Sequence, residues 1–413
     1  MTNSQGSRKR HEKCKTIDSL PSSVLSLIFG CLSVLDVHRG CQRVCSLWRR
    51  SKKAWSVIAI GIGWGNAFLN MLVPSALHTL SVSDQIVDKM VEQRHSNRFP
   101  NLTTISLYVF LTNRLRCSFF ETFSALRFLT CLGRLQYFRF DADARLQDIL
   151  DHPLKCLVLH GVRLAVGARF LFPHLESLRL VDCLFTPLNL QSILSSTALH
   201  MLSLEDSSMN KCYMEQVVMS RRLTSLKFVG VYMPVCSLCT SLLGSSTDWA
   251  ARLEEFVYEH TVTLSLLQVL SPQALRKLEI GSVTTWEAWQ ALSLLKGLEH
   301  LRIGATARMT CCLAPREIER KNGVHPINCL LSCERLQMLE LGWIDGLDAS
   351  DLVDFVVDLP NLTLLKLHSK LLCSVLMTYD LKVRQDLQIK YAFSPTDDVE
   401  ESDNDCDDCD AND

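Results

Sequence analysis
The sequence predicts an α/β solenoid: a parallel sheet of short strands on the concave side, helices on the convex side, and a short helical module ahead of them. Three observations carry this. The pattern apolar-x-x-apolar-x-apolar recurs twelve times between Leu77 and Leu367. Apolar segments at helical spacing, such as Leu188 to Leu194, lie between the copies. Residues 18–50 read as two short amphipathic helices with more apolar surface than so small a segment can bury alone.

The chain has 413 residues, 47% hydrophobic and 21% charged, a globular composition. Single cores rarely grow beyond about 250–300 residues, so two domains or a stacked array are expected. The net charge of −1 hides an asymmetry. Residues 397–413 hold ten acidic groups and no Lys or Arg, which leaves the rest with 34 acidic against 43 basic residues. The 18 cysteines follow no disulfide framework, and no secretory signal opens the chain. They read as reduced thiols of a cytoplasmic or nuclear protein.

Residues 1–15 are polar and basic, with Arg8, Lys9, Arg10, Lys13 and Lys15, and are expected to form a solvated tail. In the module at 16–53, Pro21 suits a first helical turn. Val24, Leu25, Ile28, Phe29 and Leu32 then form one apolar face. Asp36 is an N-cap for a second helix carrying Val37, Cys41, Val44 and Trp48. The anchors Leu20-Pro21, Ile28-Phe29, Leu32, Asp36-Val37, Val44-Cys45 and Trp48 resemble the F-box motif over about 35 residues. Two features depart from it. Ser23 stands where an acidic residue is frequent, and Gly30 and Gly40 sit within the helices, each costing about 1 kcal/mol relative to Ala. The resemblance implies a Skp-family adaptor held by Leu20, Pro21, Leu25, Ile28, Leu32, Val37, Val44 and Trp48, and a cullin beyond it. Without the resemblance, the helices would serve as a cap on the solenoid's apolar end.

Ala54 to Leu77 contains no charge, yet Gly61, Gly63, Gly65, Asn66, Asn70 and Pro74 interrupt it. A buried strand and helix fit better than a membrane span. The array then occupies 54–392. Its leading leucines are Leu77, Leu102, Leu135, Leu154, Leu175, Leu199, Leu223, Leu253, Leu275, Leu298, Leu336 and Leu362. Eight of the eleven steps lie between 19 and 26 residues. Trp55-Ile58-Ile60 reads as an earlier copy and Leu387-Ile389 as a degraded last one. The pattern resembles the leucine-rich repeat family, whose period is about 20–29 residues. Three residues past the last strand leucine stand Val162, Cys183, Val231, Val283 and Ile344, of which only Cys183 is a cysteine. This is similar to the cysteine-containing subclass often joined to F-boxes.

Outward strand positions follow from period-two alternation. The middle one is Ser106, Arg139, Val158, Arg179, Ser203, Lys227, Val257, Glu279, Arg302, Glu340 and Lys366 in turn. The last four alternate in sign and are expected to pair. Arg139, Arg179 and Lys227 have no acidic residue between them in that row. They are a candidate basic stripe for an acidic or phosphorylated protein substrate; their plainer reading is solvated charge. The 38-residue step from Leu298 to Leu336 holds an insertion with a short charged helix expected at Pro315 to Gly323. The acidic tail, 393–413, is expected to be disordered. Its plainer reading is a solubilising segment; the sharper one is a tail that folds back over the basic body and competes with acidic partners.

Cys236-x-x-Cys239 and Cys406-x-x-Cys409 each offer half of a zinc site, far apart in the chain, and no metal or cofactor is expected. No phosphate loop, dinucleotide fingerprint, HExxH or GxSxG motif occurs. The sequence therefore points to a non-catalytic binding protein. It also lacks the dense basic patch with interleaved aromatics that nucleic acid requires. The combined resemblance implies the substrate-recognition subunit of a Skp-cullin-F-box type ubiquitin ligase; the alternative is a non-ligase interaction scaffold.

Overall fold
The computed structural model describes residues 57–59, 77–83, 87, 90–91, 99–109, 114–115, 117–140, 152–164, 172–209, 211–231, 249–304, 324–342, 347, 349–359, 361–368 and 387–391. The chain divides into two compact units, Met1–Cys156 and Leu157–Asp413.

The first unit holds β1 (Val57–Ala59), β2 (Thr79–Ser83), β3 (Thr104–Val109), β4 (Arg114–Leu115), α1 (Cys117–Thr122) and β5 (Phe128–Phe140). β1, β2, β3 and β5 run side by side and parallel. Ile58 stands opposite Leu80, Leu80 opposite Ile105, and Ile105 opposite Leu129. The early copy around Ile58 thus joins the ladder. One hydrogen-bond device repeats. The carbonyl after each leading leucine accepts two successive amides from the next copy: His78 O from Thr103 and Thr104, then Thr103 O from Arg127 and Phe128.

This register corrects one copy. Leu126, Leu129 and Cys131, all at most 1% exposed, occupy the places expected for Leu135, Phe138 and Phe140. A free cysteine packs as a small apolar group, so Cys131 fills the position that a leucine-biased pattern overlooks. The steps of 33 and 19 residues around Leu135 become 24 and 28, within the family period. Phe119, Phe120 and Phe123 form an edge-to-face cluster at α1, and the His152 ring packs against Phe120 at 4.9 Å.

The second unit continues with β6 (Cys156–Leu164), whose first residue closes the first unit, and β7 (Ser177–Val181). Then come α2 (Pro187–Leu194), β8 (Met201–Glu205), α3 (Lys211–Val218), β9 (Ser225–Val229), β10 (Glu255–Val262), α4 (Leu264–Val269), β11 (Lys277–Val283), α5 (Trp286–Ser293) and β12 (His300–Ile303). A 3-10 helix (Pro326–Ser332), β13 (Met338–Leu341), α6 (Ala349–Asp358), β14 (Leu364–Leu367) and β15 (Gln388–Tyr391) complete it. From β7 to β15 every strand pairs with the next, in parallel.

One inward row runs Leu178, Leu202, Leu226, Phe256, Leu278, Leu301, Leu339, Leu365 and Ile389, one residue per strand. The members from Leu178 to Leu365 are at most 1% exposed. A single repeat cannot shield such a row, whereas stacking makes it continuous. Threonines start the helices: Thr186, Thr263 and Thr285 cap α2, α4 and α5. At α2 the cap is reciprocal, because fully buried Asn189 accepts from the Thr186 amide at 2.9 Å while its own amide reaches the Thr186 hydroxyl. Cys183 is buried, and its Sγ donates to the Leu159 carbonyl of the preceding copy at 3.3 Å.

The long step after Leu298 does not break the ladder, since Arg302 stands directly opposite Glu340. The insertion itself, including the expected helix at Pro315 to Gly323, lies outside the described residues. At its root Gly304 has φ +132° and touches Gly342 across the strands. The last copy is present as β15, where Ile389 stands opposite Leu365. No helix among the described residues is long and apolar enough to cross a membrane.

Candidate interaction face
The buried leucines occupy one side of each strand, so the alternate residues form the sheet's open side. In the second unit its middle row runs Arg179, Ser203, Lys227, Val257, Glu279, Arg302, Glu340, Lys366 and Lys390, as the alternation requires. In the first unit the corresponding row is Ser81, Ser106 and Thr130. Arg139 is not part of it. It lies at the far end of β5, opposite Arg114 of β4 in a separate ladder.

Within its own unit Arg139 thus stands outside the middle row. The other two cations also carry partners. Arg179 grips Glu205 with two parallel bonds of 2.7 Å. Lys227 meets Glu255 at 2.9 Å. Neither carboxylate stands in the middle row: Glu205 lies two residues beyond Ser203, and Glu255 two before Val257. Reading one row of the sequence misses them, and reading all three outward rows would have found them.

From Lys227 onward the pairs join into one chain across six strands. Glu255 Oε1 also binds Lys277 at 2.9 Å, and Lys277 binds Glu279 at 2.7 Å. Arg302 links Glu279 at 3.4 Å to Glu340 at 3.1 Å. Glu340 then holds Lys366 at 3.2 Å and His368 at 3.0 Å. The expected pairing of Glu279, Arg302, Glu340 and Lys366 is thus present. The His368 bond, ahead of an opposing burial cost and with Arg302 and Lys366, draws the Glu340 carboxyl down to about 2. Burial works against ionisation of Glu255, yet bonds from Lys227, Ser225 and Lys277 prevail and bring it to about 2 as well.

From Lys227 to His368 these are charges held by their neighbours. Burial pushes the Cys183 and Cys333 thiols up to about 11, which makes them poor nucleophiles. Among the described residues no group of three His, Cys, Asp or Glu side chains is placed to hold a metal ion. The face is suited to binding. The paired cysteines of the two CxxC segments lie outside the described residues, as do the candidate adaptor contacts Leu20, Pro21, Leu25, Ile28, Leu32, Val37, Val44 and Trp48.

Residues 17–51 match the F-box-like family. That span contains all eight candidate contacts. Together with the strand ladder it fits an F-box leucine-rich repeat protein, an α/β solenoid behind an F-box-like segment. No curated protein matches the chain. Among solved structures it is similar to an internalin from Listeria monocytogenes, at 16% identity and a TM-score of 0.37, covering 72% of this chain and 82% of that one. It is also similar to a chain of the mouse RP105/MD-1 complex, at 14% identity and a TM-score of 0.39. A third is a chain of the TLR13–ssRNA13 complex, at 16% identity and a TM-score of 0.35. The matches cover 76% and 72% of this chain but only 51% and 43% of those two. The repeat assignment stands on the strand register and not on these scores.

Proposed function
We propose that this chain is the substrate-recognition subunit of a Skp-cullin-F-box type ubiquitin ligase. The observation that carries the reading is the F-box-like match at residues 17–51. Leu20, Pro21, Leu25, Ile28, Leu32, Val37, Val44 and Trp48 contact a Skp-family adaptor, which bridges to a cullin. The solenoid's open face binds a protein substrate. The role is one of proximity: a substrate lysine held beside a charged thioester gains effective concentration, and the receptor performs no chemical step. Cytoplasm or nucleus is the compartment this role requires.

Ser23, Gly30 and Gly40 favour a second reading, in which the helices cap the solenoid and the chain is a scaffold outside any ligase. Titration of the full chain with purified Skp-family adaptor separates the two. The ligase reading expects saturable binding that changing Leu20, Pro21 and Trp48 together to Ala abolishes, with the circular dichroism of the repeats unchanged. Absence of adaptor binding in the unaltered chain would establish the scaffold instead.

A further inference from the structure
The ion-pair chain is uneven at its end. Every acidic member has two or three cations, and the sequence of signs through Glu279, Arg302, Glu340 and Lys366 alternates strand by strand. The next strand breaks the alternation: β15 places Lys390 directly beside Lys366. Neighbouring strands lie about 4.8 Å apart, so two ammonium groups share this end of the row. Lys390 is exposed and has no ion pair among the described residues. Lys366 is a third exposed, and its one carboxylate, Glu340, is shared with Arg302 and His368. Arg179 and Lys227, by contrast, have carboxylates at 2.7 and 2.9 Å.

The chain carries its own complement to this end. The ten carboxylates of 397–413 begin six residues after Tyr391, the end of β15. Six residues span at most about 20 Å, which reaches Lys390, Lys366 and Arg302 across the strands. We infer that the acidic segment 397–413 docks on the Lys366–Lys390 end of the open face and continues the alternation of charge. Each exposed pair contributes little, so the contact depends on tethering. A short tether supplies an effective concentration on the order of millimolar. Charges more than about 10 Å apart are screened at 0.1 M salt, so the docked population falls as salt rises. An acidic partner approaching this end of the sheet competes with the segment. The contact does not require an adaptor or a ligase.

Zero-length carbodiimide coupling of the full chain, followed by peptide mapping, tests it. Lys390 is too near in sequence to be informative, whereas Lys366 precedes Asp397 by 31 residues. At 20 mM salt, Lys366 should couple to carboxylates of 397–413 at least fivefold more than Lys296, which bonds the Ser332 carbonyl. The yield should fall at least fivefold in 0.5 M salt and in the exposed-site variant Lys390→Glu. Equal coupling of Lys366 and Lys296, or coupling at Lys366 indifferent to both salt and Lys390→Glu, overturns the inference. A mixture of heavy- and light-labelled chains that couples only between molecules overturns it too, since the segment's target would then be a second copy.

Discussion

Replacing Glu340 by Gln removes one charge from the busiest point of the ion-pair chain while keeping its shape. The side chain is only 15% exposed and faces Arg302 at 3.1 Å, Lys366 at 3.2 Å and His368 at 3.0 Å. Paired surface charges contribute roughly 0.2–1 kcal/mol each, so losing the Arg302 and Lys366 pairs together should cost about 0.5–2 kcal/mol at pH 7 and low salt. The pH dependence gives a sharper signature. A free glutamic acid titrates near 4.3, and Glu340 is held at about 2 in the folded chain. A depressed carboxyl contributes stability in full above the unfolded value, and that contribution disappears as pH falls through the folded one. The difference between the native chain and Glu340→Gln should therefore hold above pH 4.5 and close between pH 4.5 and 2. Urea-unfolding midpoints measured across that range read it directly. A difference that stays constant down to pH 2, or none at pH 7, would contradict a Glu340 held ionised by its neighbours.

Gly304→Ala should destabilise the chain by about 2–4 kcal/mol in the same assay, because a Cβ there would stand 2.6 Å from the Gly342 amide nitrogen at a backbone angle side chains rarely adopt. Burial, with a smaller push from the Arg127 charge and against the bond to the Phe123 carbonyl, lowers the pKa of His152. The folded chain resists the proton that the unfolded chain takes up, so stability should decline as pH falls below about 6.5, and His152→Gln should flatten that slope in thermal melts. Iodoacetamide should alkylate exposed Cys212 in the folded chain while sparing Cys183 and Cys333, whose thiols are held near 11; mass mapping that finds all three labelled alike would contradict their burial.

Most of the ladder was legible because the constraint is simple. Each strand must present two apolar residues to one core, and the register of Leu178, Leu202 and Leu226 follows from spacing alone. The failure at β5 has a local cause. Leu135, Phe138 and Phe140 fit the pattern by residue type, while Cys131 does not advertise itself as a core residue. Only the hydrogen bonds from Arg127 and Phe128 to the Thr103 carbonyl decide between them. The ion pairs of the open face were hidden for a different reason. A strand has three outward residues, and long side chains reach diagonally, so Arg179 and Lys227 found carboxylates in rows that the middle position does not reveal. The like-charged end at Lys366 and Lys390 was equally hidden, because the last copy, Leu387-Ile389, is degraded in sequence.

The proposed receptor has two ends, an adaptor site at residues 17–51 and a substrate site on the repeat face. Paired affinity capture from cells, using the full chain and its Leu20, Pro21, Trp48 to Ala variant, tests both ends together. A receptor of this kind brings down a Skp-family adaptor and a cullin with the full chain; the variant loses both, and the repeat-bound proteins persist and accumulate once their ubiquitylation stops. An unaltered chain that captures no adaptor, or a variant whose captured proteins neither persist nor rise, would contradict it.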